Sequence, residues 1–139
     1  MNIDRFLSAQ KDTYAAALSE LRAGWKQGHW MWFIFPQLAG LGYSSTAQFY
    51  AIQSIDEAAA YLAHPVLGPR LIECCEALLL HPKRSARDIL GSPDGLKLRS
   101  CATLFAQIQP AHSVFEQILS TFYPGGPDLR TLKLLAEEH

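Results

Sequence analysis

The chain has 139 residues, of which 49% are hydrophobic and 18% charged, and its formal net charge is −1. That length buries about two-thirds of the unfolded surface without metals or disulfides, and the composition is too apolar for a disordered polypeptide. No basic stripe is present to follow a phosphate backbone, so nucleic acid is not an expected partner. No apolar run nears the roughly 20 residues that span a bilayer, so a membrane is not expected either.

In chain order, Asn2-Ile3-Asp4-Arg5 leads into a helical pattern rather than the charged-then-apolar order of a signal peptide. Tyr14, Leu18, Leu21 and Trp25 recur at steps of four, three and four, which is one face of a helix. The run His29-Trp30-Met31-Trp32-Phe33-Ile34-Phe35-Pro36-Gln37 follows. As a strand it would be apolar on both faces with no evident partner, so it is predicted to be a short helix ending near Pro36. Gly40-Leu41-Gly42-Tyr43-Ser44-Ser45 then forms the longest apparent loop, and loops on rigid scaffolds are where function concentrates.

Helix punctuation organises the remainder. Ser54-x-x-Glu57, Ser85-x-x-Asp88 and Ser113-x-x-Glu116 are capping-box patterns. His64-Pro65 predicts a start for the broad apolar stripe from Val66 to Leu79, and Ser92-Pro93-Asp94 predicts another, with Pro93 at the first helical position. Gly91 and Pro124-Gly125-Gly126 are stops; Phe115, Ile118, Leu119 and Phe122, then Leu129, Leu132 and Leu135, complete the pattern. No repeat or linker divides residues 1–139. The expected architecture is all-α, a single-domain orthogonal assembly of about seven or eight short helices.

Cysteine usage sets the compartment. There are three cysteines, Cys74 and Cys75 are adjacent, and neither has metal-ligand spacing to Cys101. They read as small buried hydrophobes in a reducing, hence cytoplasmic, setting. No histidine pair stands at i, i+4, so no metal site is expected, and no glycine-rich nucleotide loop or nucleophile elbow implies a cofactor or a serine hydrolase.

Two polar sets flank the aromatic run and the later helix. Trp30 and Trp32 offer flat faces for a nucleobase or sugar, although large aromatics more commonly fill a core. An imidazole can exchange protons at neutral pH, which makes His29 a candidate base, or else a histidine hydrogen-bonded to backbone. Lys26 before the run and Gln37 and Ser44 after it place polar groups at its rim. Further on, Asp94, Lys97, Ser100 and Thr103 recur along one side of a helix. Such a stripe is either a solvated face or an edge that binds phosphate and ribose, with Asp94 suited to a hydroxyl.

Lys26-x-x-His29 followed by the aromatic run through Gln37 is similar to the signature of the DUF1810 family. Gly40-Leu41-Gly42-x-Ser44, the block from Glu57 to Leu71, and Asp94-x-x-Lys97-Leu98-x-Ser100-x-x-Thr103-Leu104-Phe105 extend the resemblance over roughly residues 4–135. It implies a small all-α protein and assigns no activity. A more distant similarity, in size, fold class and aromatic content, to the NADAR family implies an ADP-ribose-like ligand. The expected function is therefore binding of a small polar, nucleotide- or ADP-ribose-like molecule between the aromatic run and the helix starting near Ser92. In that reading His29 and Asp94 would handle a proton or hydroxyl, and Lys26, Trp30, Trp32, Gln37, Ser44, Lys97, Ser100 and Thr103 would bind; whether chemistry follows is left open. The competing expectation is a non-catalytic interaction module or homodimer, with the aromatic run as core or interface.

Overall fold

The structure is a computed structural model that describes residues 2–109 and 113–137. Ten α-helices and no strand lie among the described residues. The all-α expectation holds, and the helices are more numerous than expected because the chain breaks into shorter pieces. The N-terminal pattern is two helices, α1 (Asp4–Gln10) and α2 (Tyr14–Ala23), separated at a turn where the Thr13 amide bonds the Gln10 carbonyl. The aromatic run forms the four-residue α3 (Met31–Ile34). The end of the following loop is itself helical, α4 (Ser45–Phe49). Then come α5 (Ile55–Ala63), α6 (Leu67–Leu78), α7 (Ala86–Leu90), α8 (Asp94–Ala106), α9 (Val114–Phe122) and α10 (Leu129–Glu137).

The starts are made by the residues whose spacing predicts them. The hydroxyls of Ser54, Ser85 and Ser113 accept from the amides of Glu57, Asp88 and Glu116 at 3.1, 3.0 and 3.2 Å. Each satisfies a backbone donor that the helix cannot, for about 1 kcal/mol. The His64 ring does the same for α6, its Nδ1 accepting from the amides of Val66 and Leu67 at 3.1 and 3.3 Å. Pro93 sits immediately before α8 rather than at its first position.

Helix α8 is the hub. It touches α5, α7, α9 and α10, and Leu98, Cys101, Ala102, Leu104 and Phe105 along it are buried. Its Phe105 ring lies 5.6 Å from Tyr61 of α5 and 5.5 Å from Phe115 of α9. The three cysteines are buried and unpaired. Burial pushes the Cys74 thiol up to about 12, so it stays protonated and unreactive at neutral pH.

One charged pair is also inside. Arg5 of α1 and Glu57 of α5 meet at 3.0 Å. The cost of burying both charges is offset by further bonds: Arg5 donates to the carbonyls of Phe49 and Ala51, and Glu57 accepts from the Gln53 amide. The pair fastens α1 to the α4–α5 junction. Beside it, the Ala39 amide bonds the Ile52 carbonyl and the Ile52 amide bonds the Gln37 carbonyl, both at 2.8 Å. This single parallel bridge fixes the chain as it leaves the aromatic run.

Candidate functional site

The aromatic run divides by face. Trp30, Met31, Ile34 and Phe35 are buried, whereas Trp32 and Phe33 are only partly covered. Burying an indole leaves its N–H in need of an acceptor. Trp30 donates to Glu20 Oε1 at 3.0 Å, and the same oxygen accepts from the amides of Gln27 and Gly28 at 2.7 and 2.8 Å. Burial raises the Glu20 pKa, but the bonds from Gly28, Gln27 and Trp30 and the nearby Lys26 charge outweigh it and hold the carboxyl below its usual range.

A continuous chain of charges joins the two tryptophans. Lys26 Nζ lies 5.0 Å from the Trp30 ring centroid and 3.1 Å from Asp94 Oδ2. The other oxygen of Asp94 is 3.2 Å from Lys97 Nζ, which lies 4.7 Å from the Trp32 ring centroid. Each ammonium is thus held by an indole on one side and a shared carboxylate on the other.

Lys97 and Trp32 open onto a cleft of about 540 Å³. Trp32 and Gln37, Lys97 and Ser100 of α8, the Gly42–Ser44 loop and Arg130 of α10 line it, with Lys97 lying over the Trp32 ring. Gly42 lets the loop lie against α4, since a Cβ there would fall 2.7 Å from that of Ala47. Arg130 ties α10 to the loop by donating to the Gly40 carbonyl at 3.1 Å and the Tyr43 hydroxyl at 2.9 Å.

Five expected binding residues therefore share one cleft: Trp32, Gln37, Ser44, Lys97 and Ser100. Two of them also have local duties. The Ser44 hydroxyl caps α4 by accepting from the Ala47 amide, and the Ser100 hydroxyl donates to the Leu96 carbonyl at 3.3 Å.

The other expected residues lie off the cleft lining. Trp30 is 1% exposed and belongs to the core. Thr103 is buried, donating to the Arg99 carbonyl and accepting from the Asp128 amide, both at 2.8 Å, which pins the start of α10 to α8. Lys26 is occupied by Asp94 and the Gly28 carbonyl. Asp94 has one oxygen beside the Lys26 ammonium and the other beside that of Lys97. His29 is exposed on the segment between α2 and α3 and does not border the cleft.

Tyr43 and Arg130 were not among the expected residues. Tyr43 lies in the loop that the sequence singles out. Arg130 has no local signal, because only the docking of α10 brings it there. Among the described residues no group of three or more His, Cys, Asp or Glu side chains could hold a metal, and no helix is long and apolar enough to cross a membrane.

Fold and cleft together define a small all-α protein with a cation-lined depression beside a half-buried tryptophan. Residues 1–135 match the family described as "Protein of unknown function (DUF1810)", and the chain belongs to that family. It is similar to the conserved hypothetical protein Rv1873 from Mycobacterium tuberculosis, whose crystal structure superposes with a TM-score of 0.94 at 50% identity. The match covers 97% of this chain and 96% of that one. No curated protein matches the chain.

Proposed function

We propose that the cleft binds a small anionic ligand of nucleotide or ADP-ribose type. The observation that carries this reading is the convergence on one hollow of Lys97, Arg130, the Gln37 amide and two aromatic side chains, Trp32 and Tyr43. Ligand sites are usually concave, largely apolar and furnished with a few placed polar groups. Here the polar groups are cations and neutral hydrogen-bonding groups, with Asp128 as the carboxylate on the lining. One of its oxygens, Oδ2, accepts from the Thr131 amide and hydroxyl, at 2.9 and 2.6 Å. The balance favours an anion.

A thermal-shift panel of AMP, ADP-ribose and NAD tests the reading. A ligand at 100-fold excess over its Kd adds about 2.7 kcal/mol, which for a chain this long raises Tm by roughly 8 °C. Unchanged melting across the panel at millimolar ligand contradicts it.

The second reading, a non-catalytic interaction module, draws on two exposed leucines. Leu96 on the cleft rim is 65% exposed and Leu129, between the lining residues Asp128 and Arg130, is 77% exposed. Association through them would appear in sedimentation as a dimer that Leu96→Ser dissolves. Of the aromatic run, Trp30, Met31, Ile34 and Phe35 are inside the chain, which leaves Trp32 and Phe33 to join such a surface.

A further inference from the structure

Trp32 is the evident platform for a flat ring, yet an ammonium already lies over it. Lys97 Nζ is 4.7 Å from the indole centroid and is kept there by Asp94 at 3.2 Å. A ligand ring on that face would have to displace the cation from an attractive ring and separate an ion pair. The other aromatic side chain on the cleft is Tyr43, 76% exposed.

Exposed loop aromatics ordinarily change rotamer freely. Tyr43 is held at both ends: its hydroxyl accepts from Arg130 Nη2 at 2.9 Å, and its carbonyl accepts from Gln48 Nε2 at 3.0 Å. Arg130 is in turn fixed by the Gly40 carbonyl. Both acceptors of Arg130 are neutral oxygens, so its charge is not cancelled by the contacts that position it. The result is a largely exposed aromatic ring, oriented in advance, whose guanidinium sits at the hydroxyl end, 6.0 Å from the centroid, farther than the 4.7 Å of Lys97 over Trp32, with both cations on one cleft.

We propose that Tyr43, rather than Trp32, stacks the flat ring of the ligand, while Arg130 and Lys97 together receive its phosphate. Trp32 then serves to position Lys97. This inference rests on the reading of the cleft as a ligand site, and it narrows the ligand to a phosphate joined to a planar heterocycle. Neither half alone uses both the ring and the cations. Arginine suits the phosphate because its planar fork donates in pairs, and a base stacks on tyrosine whatever its identity.

Calorimetric titration of AMP and of ribose 5-phosphate into the wild type, Tyr43→Ala and Tyr43→Phe tests the assignment, with melting curves to show that each variant is folded. Tyr43→Ala is expected to weaken AMP about tenfold and leave ribose 5-phosphate within about twofold, and Tyr43→Phe to keep AMP binding within about threefold. If the wild type binds AMP and Tyr43→Ala binds it equally well, the assignment of Tyr43 is overturned while the cleft reading stands. Equal losses for both ligands also overturn it, because they place Tyr43 on the phosphate side. A wild type that binds neither ligand overturns the cleft reading, and this inference with it.

Discussion

Trp30 and Trp32 are two residues apart on the same short segment, and they end in opposite settings. Trp30 lies in the core with its N–H on Glu20, and Trp32 forms a wall of the cleft. Each carries a lysine over its ring, and the two lysines share Asp94. The core side of this arrangement is closed by hydrogen bonds within the chain. The cleft side reaches the open, where Lys97 keeps donor capacity for something else. What separates the two indoles is therefore covering and partnership, since composition and local sequence are shared.

Substitution should expose that asymmetry. Trp30→Ala removes a fully buried indole and is expected to cost about 4 kcal/mol, against about 1 kcal/mol for the half-covered Trp32→Ala, both read from urea unfolding. Equal costs would mean that the two residues do not differ in role.

Glu20→Ala deprives three N–H donors of their shared acceptor and should cost about 2 kcal/mol at pH 7. Its pH dependence has a definite sign. The folded pKa is lowered, so the carboxylate's contribution is fully present above the ordinary value of about 4.3 and is lost as pH falls through the lower folded value. The stability gap between wild type and Glu20→Gln should accordingly narrow in acid; a gap that widens there would contradict the account.

Asp94→Asn leaves two ammonium groups without their common counter-ion. A loss of about 1 kcal/mol is expected, and since these side chains are largely covered it should change little at 1 M salt. No change at low salt would remove Asp94 as the link between core and cleft.

The parts of this molecule that were legible in advance are those fixed by short-range chemistry. Ser54, Ser85 and Ser113 announce helix starts because a hydroxyl and an amide three residues apart must meet, and His64 does so next to its proline. The breadth of the Val66–Leu79 stripe announces a helix packed on several sides. The cleft was legible in outline, because a rare aromatic run and a Lys97–Ser100 edge each suggested a wall.

The fate of individual side chains was not legible. Nothing near Trp30 in sequence marks Glu20, ten residues earlier, as the acceptor that draws it inward. The Lys26–Asp94 contact joins residues far apart in the sequence, so no local pattern marks the expected binding residue Lys26 and the expected catalytic residue Asp94 as partners. Thr103 looks like the next step of a polar stripe, but α10 covers it through the Asp128 amide. The break between α1 and α2 escaped notice for a simpler reason: helical spacing continues on both sides of a turn of only a few residues.

The cation on the cleft wall is the most direct point of attack. Titrating ADP-ribose into the wild type and Lys97→Met, at low and at physiological salt, compares the two proteins with the neighbouring Asp94 still paired to Lys26. The account predicts saturable binding by the wild type, weakened about tenfold or more by Lys97→Met, with the difference shrinking as salt rises. Equal affinities for both proteins would contradict it.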